Sequence, residues 1–113
     1  PTRTLNLYSS SKVWGEALAK QYAANTAMSC IVLRIGWVVA EDIPPKKKWG
    51  RFLWCSQRDI VQLIERCIQA PPDLRFDIFF GHSDNLYQLV DLTHAREMVG
   101  YQPQDRAENY DRR

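Results

Sequence analysis

Apolar residues along this chain follow two kinds of pattern. Between residues 5 and 27, and again from 56 to 70, they recur every three or four positions, which is typical of a helix with one buried face. The runs SCIVLRI and LRFDIFF are short, rich in β-branched or aromatic residues, and each is followed by a glycine, as in buried strands. The pattern predicts five elements: a helix over 5–27, a strand over 29–35, a helix opened by Ser56, a strand over 74–80, and a short helix with Asp91 as its N-cap that ends at Gly100.

Local signals sharpen the boundaries of these elements. Ser56 is expected to cap its helix, with Asp59 three residues later in a variant of the capping box, and a pair of prolines stops the helix. Residues 41–51, EDIPPKKKWGR, hold two prolines, a glycine and a charge run, so they are predicted to form a loop. The polar residues after Pro103 are expected to fray.

The order helix-strand-helix-strand-helix predicts an α/β fold with mainly parallel strands. Two strands alone would leave long unpaired edges, which folded proteins avoid. We therefore expect one side of a larger structure, completed either by oligomerisation or by a missing domain.

Composition narrows the class of protein. The chain has 113 residues, of which 45% are apolar and 25% charged, so a packed core is feasible and global disorder is not expected. A formal charge of +2 is too small to indicate nucleic acid or a membrane surface, and no stretch has the length of a membrane span. Cys30, Cys55 and Cys67 are widely spaced and odd in number, which favours reduced thiols and a cytoplasmic setting.

Tyr8 and Lys12 are four positions apart in a predicted helix, so their side chains are expected on one face. A cation beside a phenol favours the phenolate, which could exchange a proton with a substrate hydroxyl. The alternative interpretation is a packed tyrosine beside a solvated lysine. Spacing alone leaves both interpretations open.

The segment YSSSKVWGEALAK, residues 8–20, resembles the Tyr-x-x-x-Lys helix of the extended short-chain dehydrogenases, the NAD-dependent epimerase/dehydratase family, and most closely that of their uronate-dehydrogenase-like branch. The Y-x-x-S-K-x-x-x-E pattern of that family matches Tyr8, Ser11, Lys12 and Glu16. Further matches follow in the family's order, in the segments CIVLRIGWV, WCSQRDIVQLIERCIQAP, FDIFFGHSDN and HAREMVGYQPQD. The resemblance covers about residues 1–105 as the C-terminal portion of such a domain, followed by a polar tail at 106–113.

The resemblance implies a partial Rossmann-like layer and a set of roles. Tyr8 would be the catalytic acid/base, and Lys12 would hold the ribose hydroxyls of NAD and favour the phenolate. Both residues would border the cofactor, together with the turn after the first strand, which would pass near the nicotinamide: Ile35, Gly36, Trp37 and Val38. The reaction implied is oxidation, reduction or epimerisation at a sugar-like hydroxyl.

The match is incomplete where the family binds its nucleotide. No G-x-G-x-x-G or G-x-x-G-x-x-G occurs, because the five glycines are isolated, and no serine or threonine precedes Tyr8 in the place of the family's catalytic one. Ser9 to Ser11 lie on the tyrosine's own helix and cannot simply replace it. We expect the N-terminal nucleotide-binding half to be missing, so the chain alone should neither bind NAD nor catalyse. A non-catalytic, oligomerising α/β module is the alternative.

The substrate positions also depart from the uronate-dehydrogenase-like branch. Trp37 stands where a small serine is expected, Trp49 occupies roughly the place of a carboxylate-binding arginine, and Arg51 is displaced from it. These three residues are the candidate substrate contacts, and the departures argue against a carboxylate sugar.

Two further features have several interpretations. The run PPKKKWGRFLW could be a solvated loop with tryptophans tucked under it, a lid over a substrate cleft, or a site for single-stranded nucleic acid. We favour the loop or lid and expect no nucleic-acid partner. His82 and His94 are expected at the surface or as caps, and no metal site is predicted.

Overall fold

The computed structural model describes residues 6–111. Its elements are helix α1 Leu7–Asn25, strand β1 Cys30–Ile35, helix α2 Lys48–Leu53, helix α3 Gln57–Ile68, strand β2 Phe76–Gly81, helix α4 Thr93–Val99 and a 3₁₀ turn Ala107–Tyr110. The predicted order is confirmed, with α2 and the 3₁₀ turn in addition. The predicted helix start at Leu5 lies outside the described residues.

The two strands pair directly in a two-stranded sheet. The Cys30 N–H donates to the Arg75 carbonyl at one end, and the Gly36 N–H donates to the Gly81 carbonyl at the other. The strands therefore run in the same direction, and the expected α/β class with a parallel sheet is confirmed.

Contacts divide the described residues into two units, 6–32 with 71–78 and 33–70 with 79–111. In the first unit, both ends of α1 are capped by side chains. The Asn6 carboxamide oxygen accepts from the Ser9 N–H at 2.8 Å, as an N-cap does. At the other end the Arg75 guanidinium donates to the carbonyls of Ala23 at 2.8 Å and Ala27 at 2.9 Å, which satisfies acceptors that a helix end leaves open.

The apolar residues of α1 are more exposed than their spacing predicts. Ala23 is the buried residue of this helix, whereas Leu7 is 90%, Trp14 66% and Tyr22 50% exposed. The predicted helix is confirmed, and much of its apolar surface is exposed within the described residues. Periodicity indicates which face is apolar and not whether anything covers it.

The second unit contains a packed core of its own. Trp54, Leu63, Phe79 and Tyr101 are all at most 1% exposed. The predicted apolar stripe of α3 is buried at Ile60 and Leu63 and becomes exposed toward the helix end, at Ile64 and Ile68.

Two segments differ from the sequence expectation. Within the predicted loop 41–51, helix α2 begins at Lys48, and Gly50 packs so closely that an added Cβ would lie 2.7 Å from the Pro45 ring. The tail expected to fray is ordered through residue 111. Ala107 is fully buried and donates its N–H to the Asn85 side chain at 3.0 Å, and the Tyr110 ring packs edge-on against Trp54. Both segments are fixed by distant partners that local composition does not reveal.

The predicted helix α4 is present and ends before Gly100, but its N-cap is Leu92 and not Asp91. The Asp91 carboxylate accepts from the Thr93 N–H at 2.8 Å, and this bond lowers the pKa of Asp91. Gly100 closes the helix in the left-handed conformation, with φ of 74°, where glycine is favoured. No helix within residues 6–111 is long and apolar enough to cross a membrane.

Candidate functional site

Tyr8 and Lys12 lie side by side at the start of α1. The Lys12 ammonium is 5.2 Å from the centre of the Tyr8 ring, and the tyrosine is 71% exposed. The Asn6 cap fixes the backbone of this first turn. A phenol and a cation therefore share one exposed face, as their spacing predicts.

The neighbouring serines are bonded to the helix backbone. The Ser10 hydroxyl donates to the Asn6 carbonyl at 3.0 Å, and the Ser11 hydroxyl donates to the Tyr8 carbonyl at 2.6 Å. The Ser10 and Ser11 hydroxyls are therefore engaged by the backbone of their own helix.

The turn after β1 is held by backbone bonds within the second unit. The Trp37 N–H donates to the Leu53 carbonyl at 2.7 Å, and the Trp37 carbonyl accepts from the Cys55 N–H at 2.9 Å. An added Cβ at Gly36 would lie 2.0 Å from the Leu53 carbonyl oxygen, so the glycine permits this close approach of the two segments. The side chains of Ile35 and Val38 are 53% and 40% exposed.

Trp37 and Trp49 form a pair at the surface of the second unit. Their ring centres are 4.6 Å apart with the planes at 59°, and the residues are 39% and 52% exposed. A Cβ at Gly50 would lie 2.8 Å from the Trp37 ring. The expectation of tryptophans tucked under the loop is correct for Trp54, which is fully buried, and wrong for this pair.

Arg51 is already engaged by the C-terminal segment. Its guanidinium donates to the Ala107 carbonyl at 3.3 Å and forms an ion pair with Asp111. A carboxylate ligand would have to share this guanidinium with Asp111. Sequence reasoning missed the contact because the tail was expected to fray.

A buried polar cluster joins α3 to two later segments. Ser56 caps α3 as predicted, accepting from the Asp59 N–H at 3.2 Å. In a capping box the Asp59 side chain would accept directly from the Ser56 N–H, but here Ser83 lies between them. The Ser83 hydroxyl donates to the Asp59 carboxylate at 2.6 Å and accepts from the Ser56 N–H at 2.9 Å. The Asp59 carboxylate also accepts from the backbone N–H groups of Gln104 and Asp105. This supports a capping role for Ser56 and Asp59.

Burial determines the titration of the groups around this cluster. It raises the pKa of the Cys55 thiol to about 12, with the nearby Asp59 adding to the effect. It also raises the pKa of Tyr101, whose hydroxyl donates to the His82 carbonyl at 2.7 Å. His82 is 4% exposed, so its expected place at the surface or as a cap is wrong, and burial lowers its pKa while the Phe52 carbonyl opposes this.

Comparisons with known proteins find relatives that this chain matches over part of their length. An NAD-dependent glucose-6-phosphate dehydrogenase of Haloferax volcanii is 35% identical over 108 residues, covering 96% of this chain and 40% of the relative. A uronate dehydrogenase of Pseudomonas putida is 33% identical over 110 residues, covering 97% and 39%. The crystal structure of uronate dehydrogenase from Agrobacterium tumefaciens matches with a TM-score of 0.87 at 32% identity, covering 99% of this chain and 40% of that one.

The chain is homologous to the C-terminal part of the uronate-dehydrogenase-like sugar dehydrogenases. It spans about 40% of the length of the relatives it matches. No protein-family model matches the chain.

The uronate-dehydrogenase-like relatives are named as NAD-dependent or solved with NAD, so the described residues can be tested for a fit to that cofactor. Lys12 is exposed, and its ammonium lies 5.2 Å from the centre of the Tyr8 ring, so this cation could meet sugar hydroxyls. The turn at Gly36 and Trp37 offers less, because its N–H groups are already bonded to Gly81 and Leu53. Lys12 is thus the described residue that could meet the ribose of the cofactor, and the sequence has no glycine-rich turn for its pyrophosphate.

Proposed function

We propose that this chain supplies the proton-transfer part of an NAD-dependent dehydrogenase that acts on a sugar-like hydroxyl. The observation that carries the proposal is the exposed pair at the start of α1, with the Lys12 ammonium 5.2 Å from the Tyr8 ring centre. The Tyr8 phenolate takes the proton of the substrate hydroxyl, and Lys12 favours that phenolate by its charge. A bound NAD would supply the acceptor for the hydride on the carbon that carries this hydroxyl. Lys12 would hold its ribose hydroxyls, and the turn from Ile35 to Val38 would border its nicotinamide.

The substrate class follows from the relatives and from candidate contacts in the second unit. The relatives are named for glucose 6-phosphate, L-arabinose and uronates, all of them sugars. Trp37 and Trp49 are exposed and could contact a sugar ring. Arg51 would contribute only by sharing its guanidinium with Asp111.

The chain alone is proposed to lack NAD binding and catalysis. A dinucleotide gains much of its affinity from backbone N–H groups at a glycine-rich turn, and an exposed lysine cannot replace them. Completion would come from a nucleotide-binding domain or from association of copies. The three cysteines are free thiols, which supports a cytoplasmic setting for the protein.

The test joins this chain to the N-terminal part of the Agrobacterium tumefaciens uronate dehydrogenase and measures NADH formation with sugar substrates. Tyr8→Phe should lower kcat by about 10²–10⁴-fold, the usual contribution of a general acid/base. Tyr22→Phe is the matched control, because Tyr22 lies on the same helix, is 50% exposed and has a threonine four residues later. It should change kcat less than about twofold.

Lys12→Met and Lys20→Met form a second matched pair on α1. Removing the Lys12 charge should lower kcat and raise KM for NAD, whereas Lys20→Met should leave both unchanged. A folded chimera that binds NAD but has no Tyr8-dependent activity would refute the proposal. Titration of the isolated chain with NAD should give no heat, and micromolar binding would refute the dependence on a separate nucleotide site.

The second candidate is a non-catalytic module that oligomerises. It is favoured by the apolar face of α1, where Leu7 and Trp14 are 90% and 66% exposed. Light scattering after size exclusion should then show a dimer or larger species that Trp14→Glu converts to a monomer, with Tyr8→Phe having no effect.

A further inference from the structure

The pair of indoles on the second unit is rigidly built. Both backbone polar groups of Trp37 are bonded, to Leu53 and Cys55, and the absence of a side chain at Gly50 lets the Trp37 ring lie against α2. The Trp49 ring packs against the Trp37 ring, with the two ring centres 4.6 Å apart. A ligand that contacts these rings would lose little free energy to ordering their side chains, which favours binding.

Positive charge precedes Trp49 in the sequence. Residues 46–48, here called the lysine run, are three exposed lysines that lead directly into Trp49. No ion pair to the lysine run occurs among residues 6–111. The next cation along the chain, Arg51, is neutralised by Asp111. The lysine run is therefore the cationic group available to an anionic ligand here.

We propose that Trp37, Trp49 and the lysine run form a binding site for a phosphorylated sugar, with the sugar ring on the indoles and the phosphate on the lysines. The inference rests on the proposed function, since it assigns the substrate class of that enzyme. The two indoles meet at 59°, so a puckered ring with C–H groups on several sides can contact both, whereas a planar base can stack on only one.

The nature of the cations favours phosphate over carboxylate. Lysine ammonium groups bind phosphate as point charges, whereas a carboxylate is best matched by the planar fork of an arginine. The arginine of this region is occupied from within the chain, and its Nη2 atom already donates to the Ala107 carbonyl. The phosphate would therefore bind to the lysine run, and the ion pair between Arg51 and Asp111 would stay intact.

The experiment is calorimetric titration of the full chain with glucose 6-phosphate, glucose, glucuronate and AMP, without NAD. Glucose 6-phosphate should saturate the chain, and glucose and glucuronate should bind at least about tenfold more weakly. Replacing all three residues of the lysine run by glutamine should weaken glucose 6-phosphate binding by a similar factor, and so should Trp49→Ala. The matched control removes three exposed cations elsewhere, by Lys20→Gln, Arg66→Gln and Arg96→Gln, and should retain binding within about twofold.

Several results would overturn the inference. These are no saturation with glucose 6-phosphate, equal affinity for glucose, equal loss in the control variant, or tighter binding of AMP, which would indicate a nucleotide site. The experiment needs neither cofactor nor turnover. Failure here with Tyr8-dependent activity in the chimera would leave the proposed function standing. Saturation here without such activity would refute the proposed function and leave a binding site without that enzyme.

Discussion

Replacing Asp59 by asparagine tests the buried cluster that ties α3 to the loop after β2 and to the C-terminal segment. Asp59 is fully buried, and its two carboxylate oxygens accept three bonds. One oxygen accepts from the Ser83 hydroxyl at 2.6 Å and the Asp105 N–H at 3.1 Å, and the other accepts from the Gln104 N–H at 2.7 Å. Asparagine keeps the shape but can place an oxygen at only one of these positions.

The expected cost follows from the bonds that asparagine cannot make. With the amide oxygen toward Ser83, the amide NH₂ faces the Gln104 N–H, so one bond to a charged acceptor is lost and a buried donor is left without a partner. A bond to a charged group contributes about 1.5–3 kcal/mol, and an unsatisfied buried donor costs about 1–3 kcal/mol. The flipped orientation would lose two bonds. We therefore expect Asp59→Asn to lower the free energy of unfolding by about 3 kcal/mol or more.

Urea denaturation of the full chain measures this loss, and an unchanged m-value would show that the same two-state unfolding is being compared. Asp73→Asn is the control, because Asp73 is exposed, and it should change the free energy by less than about 0.5 kcal/mol. Ser83→Ala should couple with Asp59→Asn in a double-mutant cycle, since the hydroxyl bridges Ser56 and Asp59. A loss below about 1 kcal/mol for Asp59→Asn, or strict additivity in the cycle, would refute the reasoning.

Two further predictions concern the second unit. Because burial lowers the pKa of His82, the unfolded chain takes up a proton as the pH falls below about 6.5, while the folded chain does not. The free energy of unfolding should therefore be constant above that pH, decrease below it and level off below the folded pKa. Urea denaturation from pH 8 to 5 should show a smaller decrease for His82→Leu than for wild type, whereas the His94→Gln control should show the full decrease. Gly36→Ala would place a Cβ 2.0 Å from the Leu53 carbonyl oxygen and should destabilise the chain by about 1–3 kcal/mol. Gly15→Ala has open space on α1 and should stabilise the chain by about 0.5–1 kcal/mol. Equal effects of the two substitutions in urea denaturation would contradict the close approach at Gly36.

Local pattern was sufficient for the elements whose causes are local. The periodicity of α1 and α3, the apolar runs of β1 and β2, and the Ser56 cap all involve residues within a few positions of one another. The partners of Arg51 and Asp59 lie elsewhere: Ala107 and Asp111 for the arginine, and Ser83 with residues 104–105 for the carboxylate. Helix α2 and the ordered tail depend on such contacts, and no spacing rule reports them.

The candidate site was predictable to the same extent. Tyr8 and Lys12 are one turn apart on a helix, so their shared face follows from geometry alone. The exposure of the Trp37 and Trp49 pair does not follow from sequence, because a tryptophan beside prolines can be core or surface. It depends on how Gly50 lets one ring lie against α2.

The geometry of the proposed catalytic pair depends on how well α1 is held. A helix of 19 residues with a single buried alanine gains little from packing, which is the source of most helical stability in proteins. What stabilises it within its own unit is the pair of caps, Asn6 at the start and Arg75 at the end. The exposed face that carries Leu7 and Trp14 would add stability once covered. Binding of a covering domain or of a second copy would therefore also order the turn that presents Tyr8 and Lys12, so that assembly and catalytic competence would be linked through the same helix.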